Sequence, residues 1–269
     1  MKMILFVCLF LQCLMTSAAE YRVGVVPQFE AQRLNKVWLP ILDELGKRTG
    51  DSFVLVTSKS IPEFEKAFQR GDFDIAYMNP WHAVVAYQAQ QYLPIIKDGD
   101  RKLKGILVVH KDSGITDVKQ LDGAEISFPA PNALGASLLM RADLKQLHGI
   151  DIIPKYVQTH SSVYLNVALQ STKAGGGVKR TLKEQMPALQ NKLTVLYETR
   201  AVNPHPIVVH PRVPADAILR ISAALLAMTS VVDTQKLLAE IPMRRAVAAN
   251  IDEYLPLVDW GLNDFYVSE

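Results

Sequence analysis

The chain is poor in cysteine, with two among 269 residues, Cys8 and Cys13. That excludes a disulfide framework, and it excludes a thiolate zinc site anywhere beyond residue 13. A surplus of one charge is lacking too. The 29 Lys and Arg face 27 Asp and Glu, a formal charge of +2, so there is no basic field to draw in nucleic acid. The familiar catalytic signatures are missing: no G-x-S-x-G, no H-E-x-x-H and no dinucleotide fingerprint. The glycine run Gly175-Gly176-Gly177 lacks the Gly-Lys-Ser/Thr that would make it a nucleotide phosphate loop. His82, His160, His205 and His210 lack metal-ligand spacing, and neither a metal nor a cofactor is expected. Beyond the N-terminus no apolar run reaches the ~18 residues that mark a membrane span. What is present is globular composition, 49% hydrophobic and 21% charged.

The N-terminus reads as a secretory signal. Lys2 supplies the charged start, Met3 to Met15 is apolar apart from Gln12, and Ser17-Ala18-Ala19 places small residues at −3 and −1. Cleavage is expected after Ala19, so residues 1–19 are assigned to the signal. Gln12 ahead of Cys13 argues against a lipoprotein. Cleavage removes Lys2 and both cysteines, leaving a thiol-free chain of charge 28 − 27 = +1, which suits an oxidising compartment.

From there strands and helices alternate. Tyr21–Val26, Phe53–Thr57 and Phe73–Tyr77 read as strands, with helices predicted over Ala31–Thr49, Ser60 to Gly71 and Pro80–Gln91. Leu34, Trp38, Ile41, Leu42 and Leu45 make one helical stripe. Ser60, Pro62 and Glu63 form a helix-start signature. Leu93–Lys97 and Gly105–His110 are further strands, and the alternation then restarts at Ala124–Phe128. The later helices are expected over 135–147, 161–169, 181–189 and 214–241. The implied fold is α/β, with two lobes, each a mostly parallel sheet with helices on both faces, and a ligand cleft between them.

In open α/β sheets ligands bind beyond the carboxyl ends of the strands, which singles out five loops. Tyr77 and Asn79 stand at the end of one strand. Asn132, Ala133, Leu134, Gly135 and Ala136 join a strand to a helix whose first amides and dipole favour an anion. His160 follows another strand, with Ser161 expected to cap the helix. The glycine run leads into Lys179 and Arg180, and His205 sits in the turn Asn203-Pro204-His205-Pro206.

Taken in order, several of these segments resemble the periplasmic phosphate/phosphite/phosphonate-binding proteins of ABC transporters. The landmarks are Gly24-Val25-Val26-Pro27, Asp74-Ile75-Ala76-Tyr77, Ile126-Ser127-Phe128 through Pro131-Asn132, His160 with Val167-Ala168-Leu169, and Pro206-Ile207-Val208-Val209. The resemblance implies the type II periplasmic binding fold. Residues 20–112 plus 211–269 would form one lobe and 113–210 the other, with crossings near 111–116 and 203–211. It also implies a non-enzymatic monomer that binds a small anion and delivers it to an ABC permease. A sensory protein presenting its ligand to a membrane receptor shares that fold, and a secreted hydrolase or transferase using His160 and His205 is the reading from another class.

Departures from the family pattern bear on the ligand. The family's hydroxyl-rich anion turn is replaced by Ala133, Leu134 and Gly135. Its two ammonium-binding acids correspond to Lys179 or Arg180 and to His205, and its first-lobe aromatic falls near Ser60 or Ile61. An anion without an amine, or with a second negative group, is therefore expected, held by Ser60, Tyr77 and Asn79 from one lobe. The amides of Asn132 to Ala136, with His160, Arg180 and His205, serve from the other.

Overall fold

The computed structural model describes residues 18–267, so most of the expected signal and both cysteines lie outside the described residues. Among the described residues no single helix is long and apolar enough to cross a membrane.

The first sheet is built on β1 (Glu20–Val25), β2 (Ser52–Val56), β3 (Ile75–Tyr77) and β4 (Leu93–Asp98). Between them run α1 (Ala31–Thr49), α2 (Ile61–Gln69) and α3 (Pro80–Gln90). α1 buries the predicted stripe of Leu34, Trp38, Ile41, Leu42 and Leu45. It stops at Gly50, whose φ of +78° costs a residue without a Cβ little. Ser60 starts α2 by accepting a bond from the Glu63 amide at 3.3 Å, while Glu63 Oε2 accepts from the Lys59 amide at 2.6 Å.

The second sheet contains β5 (Gly105–His110), β6 (Glu125–Phe128), β7 (Ile153–Tyr156), β8 (Ala174–Val178) and β9 (Leu193–Glu198). Its helices are α4 (Leu139–Gln146), preceded by a π-helical turn over Leu134–Leu138, then α5 (His160–Ala168), α6 (Lys179–Lys183) and α7 (Pro187–Gln190). One helix was expected over 181–189, and two short ones stand there. Pro187 cannot donate into a continuing helix, and its ring would clash with the preceding turn, so a new helix begins at it. The chain then returns through β10 (Ile207–Val209), α8 (Ala215–Met228), α9 (Val232–Glu240) and β11 (Ala246–Ala248), and ends in short 3-10 turns between Ile251 and Phe265.

The strand order is β11-β4-β10-β3-β1-β2 in one sheet and β7-β6-β8-β5-β9 in the other. Both sheets are mixed where mostly parallel pairing was expected. β1 pairs β2 and β3 in parallel, and β6 pairs β7 and β8 in parallel. The strands that arrive across the lobe boundary run the other way: β10 is antiparallel to β3 and β4, and β5 to β8 and β9.

This pairing also moves the expected boundaries. β5 lies in the second sheet and β10 in the first, so the chain crosses at 99–104 and 199–206, rather than at 111–116 and 203–211. The two crossings pair with each other. Leu103 and Val202 exchange two backbone bonds of 2.9 Å, and Gly105 donates to Thr199 Oγ1 at 2.8 Å.

β5 is buried on both faces. Leu107 and Val109 pack with Ile126, Phe128 and Met140, while Ile106 and Val108 pack with Tyr164 and Val167. A further apolar cluster joins the lobes. Trp81 and Val84 of α3 meet Leu134, Leu138 and Leu139, with Tyr254, Leu257 and Leu262 of the C-terminal turns between them.

Candidate functional site

The π-helical turn is the centre of the site. Leu138 donates to the Ala133 carbonyl at 3.2 Å, a five-residue step that widens the first turn; such turns recur at functional sites. Two glycines seat it. A Cβ on Gly105 would overlap the Gly135 carbonyl oxygen, and one on Gly176 would overlap that of Ala136. The helix start therefore rests directly on the backbones of β5 and β8, with its carbonyls turned into the sheet. Ser137 is already bonded to Ala133 O at 2.7 Å. The amides of Leu134, Gly135 and Ala136 ahead of it are the initial N–H groups that a helix cannot satisfy internally.

Those three residues line a cavity of about 20 Å³ between the lobes, together with Ala133, His160 and Val178 from one side. Val26, Gln28, Ile61, Asn79, Leu103 and His205 complete it. No Lys, Arg, Asp or Glu is in that lining, so an anion there would meet only neutral donors and the positive end of a helix dipole.

His160 opens α5. Thr159, rather than the expected Ser161, caps the helix, its side chain accepting from the Ser162 amide at 3.1 Å. His160 Nδ1 lies 3.3 Å from Thr181 Oγ1, which leaves Nε2 for the cavity. Burial holds the His160 pKa down at about 4. His205 is pushed down to about 3, first by burial and then by His82, His160 and Arg180 nearby. Both imidazoles are therefore neutral near pH 7. Gln28 Nε2 donates to His205 Nε2 at 3.1 Å, so the ring proton of His205 sits on Nδ1.

Of the residues singled out in the sequence, Asn79, Ala133, Leu134, Gly135, Ala136, His160 and His205 come together here. Asn79 contributes its position, because both of its amide atoms are engaged. Oδ1 caps His82 N at 2.8 Å and Nδ2 donates to the Asn132 carbonyl at 3.3 Å.

The other four stand elsewhere. Ser60 Oγ accepts from the Glu63 amide, and the residue is exposed outside the cavity lining. The Asn132 side chain faces away from the cavity. It donates to Glu65 Oε2 at 3.0 Å and exchanges bonds of 2.8 and 3.0 Å with the Val267 backbone. Tyr77 and Arg180 line an adjoining cavity of about 30 Å³. The Tyr77 ring stacks on His205 at 5.4 Å, and burial pushes its hydroxyl pKa up. Arg180 is held by Glu184 at 2.8 Å and by the Glu240 carbonyl. Lys179 points to Glu198 at the surface. Sequence reading missed Gln28 and Val26, although Gln28 directly follows Pro27 at the carboxyl end of β1, the same strand-end signal that marked the other loops.

Residues 23–254 match the family model described as "ABC transporter, phosphonate, periplasmic substrate-binding protein". The chain belongs to this family. No curated protein matches the sequence closely enough to carry an argument. Among solved structures, PhnD1 from Prochlorococcus marinus in complex with methylphosphonate superposes with a TM-score of 0.83 at 15% identity, covering 92% of this chain and 99% of that one. A binding-protein component of an ABC phosphonate transporter from Pseudomonas aeruginosa gives 0.80 at 15% identity, covering 91% and 86%. The GluR0 ligand-binding core from Nostoc punctiforme with L-glutamate gives 0.58 at 15% identity, covering 82% and 97%. At these identities the likeness is one of fold, the two-lobed type II periplasmic binding fold. The family consists of substrate-binding components of importers that work in the periplasm.

Proposed function

We propose that this family member captures a small tetrahedral oxyanion of the phosphonate, phosphite or phosphate class in its interlobe cleft and passes it to an ABC permease. The observation that carries the reading is the cavity itself. Three helix-start amides and two neutral imidazoles belong to residues that line it, with no acid in the lining to repel an anion. Charge-assisted bonds to uncharged donors are the strong ones, and a helix N-terminus is a ready anion site. The methylphosphonate complex of the Prochlorococcus relative, which shares the fold, is consistent with it.

On this reading the paired crossings at 99–104 and 199–206 act as the hinge, and lobe closure buries the ligand. The chain is exported as a thiol-free protein, acts as a monomer and performs no chemistry on what it carries. Thermal-shift titration against phosphate, phosphite, methylphosphonate, 2-aminoethylphosphonate and sulfate tests it, because native-state binding raises the midpoint with ligand concentration. A concentration-dependent rise with a phosphorus oxyanion is expected. Absence of any rise across the series ends the proposal.

A further inference from the structure

The residue just ahead of the π-helical turn is held by the opposite lobe. Asn132 Nδ2 donates to Glu65 Oε2 on α2 at 3.0 Å. The other oxygen of Glu65 accepts from His82 Nε2 at 2.7 Å. The His82 amide donates to Asn79 Oδ1 at 2.8 Å, and Asn79 Nδ2 donates to the Asn132 carbonyl at 3.3 Å. Four residues thus close a ring of hydrogen bonds, and each of them is more than nine-tenths buried. Glu65, Asn79 and His82 stand on α2 and α3 of the first lobe, and Asn132 follows β6 of the second.

The tail of the chain joins this ring from outside. Val267 exchanges bonds of 2.8 and 3.0 Å with the Asn132 side chain. Arg141 of α4 donates to the Pro131 and Phe265 carbonyls at 2.8 and 2.6 Å. The Asn132 side chain is therefore engaged by α2 and by the tail.

When the lobes meet, the Glu65 carboxylate loses its water, and a buried charge is costly unless hydrogen bonds replace that water. His82 supplies one replacement from the same lobe. Asn132 supplies the other across the boundary. The backbone of the next residue is already committed to the turn, since the Ala133 carbonyl accepts from Ser137 and Leu138. The Asn132 amide is thus offered to Glu65 from a fixed place at the start of the turn.

We infer that Asn132 and Glu65 are positioning residues that couple lobe closure to the shape of the oxyanion turn. Neither lines the cavity through its side chain. Full closure is stable only while the turn presents its amides, and ligand release waits on the breaking of the ring. This rests on the function proposed above and adds the residues that set how long the ligand stays.

Small-angle scattering of the ligand-free protein and stopped-flow kinetics with phosphate and methylphosphonate test it. Asn132→Ala and Glu65→Ala should each widen the ligand-free particle. Each should speed ligand dissociation more than tenfold, the loss of a charge-assisted bond, without slowing association. Glu65→Gln keeps an oxygen for Asn132 and offers an amide to His82 Nε2, so its dissociation should stay within about threefold of the unaltered rate. A merely structural role would lower the folded fraction and leave the rates of the folded molecules alone. Unchanged dissociation in both alanine variants, or equal acceleration in Glu65→Gln and Glu65→Ala, overturns the inference and leaves the oxyanion reading intact. If no oxyanion binds, the oxyanion reading falls and scattering decides the coupling: a wider Asn132→Ala particle supports it, and an unchanged one overturns it. Should an alanine variant not fold, deletion of residues 267–269 releases the tail's hold on Asn132. Faster dissociation then supports the inference, and an unchanged rate overturns it.

Discussion

His160 and His205 are held neutral by burial, and this makes the ligand-free protein sensitive to acid. In the unfolded chain each takes a proton near the ordinary histidine value of about 6.5. In the fold they do so only near 4 and 3. Between those values the unfolded chain binds more protons, so stability rises with pH across the interval. Full stability is present above about pH 6.5 and is lost progressively as pH falls toward 4 and below. Urea midpoints measured along that range should fall, and His205→Gln should flatten the fall; identical slopes in the two proteins would count against the buried neutral pair. His160→Ala should weaken oxyanion binding about tenfold, the loss of one bond of ~1.5 kcal/mol, with little change in the folded far-UV signal. Asn132→Ala should cost about 1–3 kcal/mol, because it strips a donor from the buried Glu65 carboxylate; chemical denaturation reads it directly. At this scale the sequence pointed to Asn79 and His160 because each follows a strand, and to His205 because it stands in a rigid turn before one. Ser60 was visible through its Ser-x-x-Glu pattern, and the structure places it at the start of α2 outside the cavity lining.

At the scale of elements, the alternation of strand and helix was legible nearly throughout. α1 lies over Ala31–Thr49 and β5 over Gly105–His110 as expected, because apolar period and Gly or Pro punctuation agree there. The π-helical turn was not legible. Its five-residue hydrogen-bond step depends on the sheet beneath it, where Gly105 and Gly176 admit the Gly135 and Ala136 carbonyls. The glycine run was visible, but its role as a seat for another segment's backbone needs a tertiary contact. Gly176→Ala should therefore act on binding as well as stability. A methyl there must lift the turn off β8, at a cost of about 1–3 kcal/mol for overpacking, and it shifts the amides that line the cavity. Oxyanion affinity measured below the unfolding range should drop by more than tenfold; a variant that loses stability and keeps full affinity would separate the seat from the site.

For the whole molecule, two lobes were readable from the restart of the pattern, and their boundaries were not. Which sheet β5 or β10 joins is decided by partners about 70 to 130 residues away in the chain, and local periodicity carries no trace of that. The same scale governs closure. Arg33 and Glu184 meet at 2.7 Å only while the lobes are together, and their side chains are 42% and 22% exposed. Such a pair adds at most about 1 kcal/mol, so Glu184→Gln should speed ligand dissociation by no more than about fivefold and leave the association rate nearly unchanged. Stopped-flow release into excess competitor checks it, and an unaltered off-rate would remove the pair from closure.

The position of β10 bears on how the chain reaches this state. β10 separates β3 from β4, and among the described residues β4 pairs only with β10 and β11. A chain delivered N-terminus first thus presents β4 without a sheet partner until residues 207–209, and then 246–248, have followed. Contacts of such long sequence separation are slow to form. The first half of the molecule therefore cannot complete its sheet until these later segments are in place.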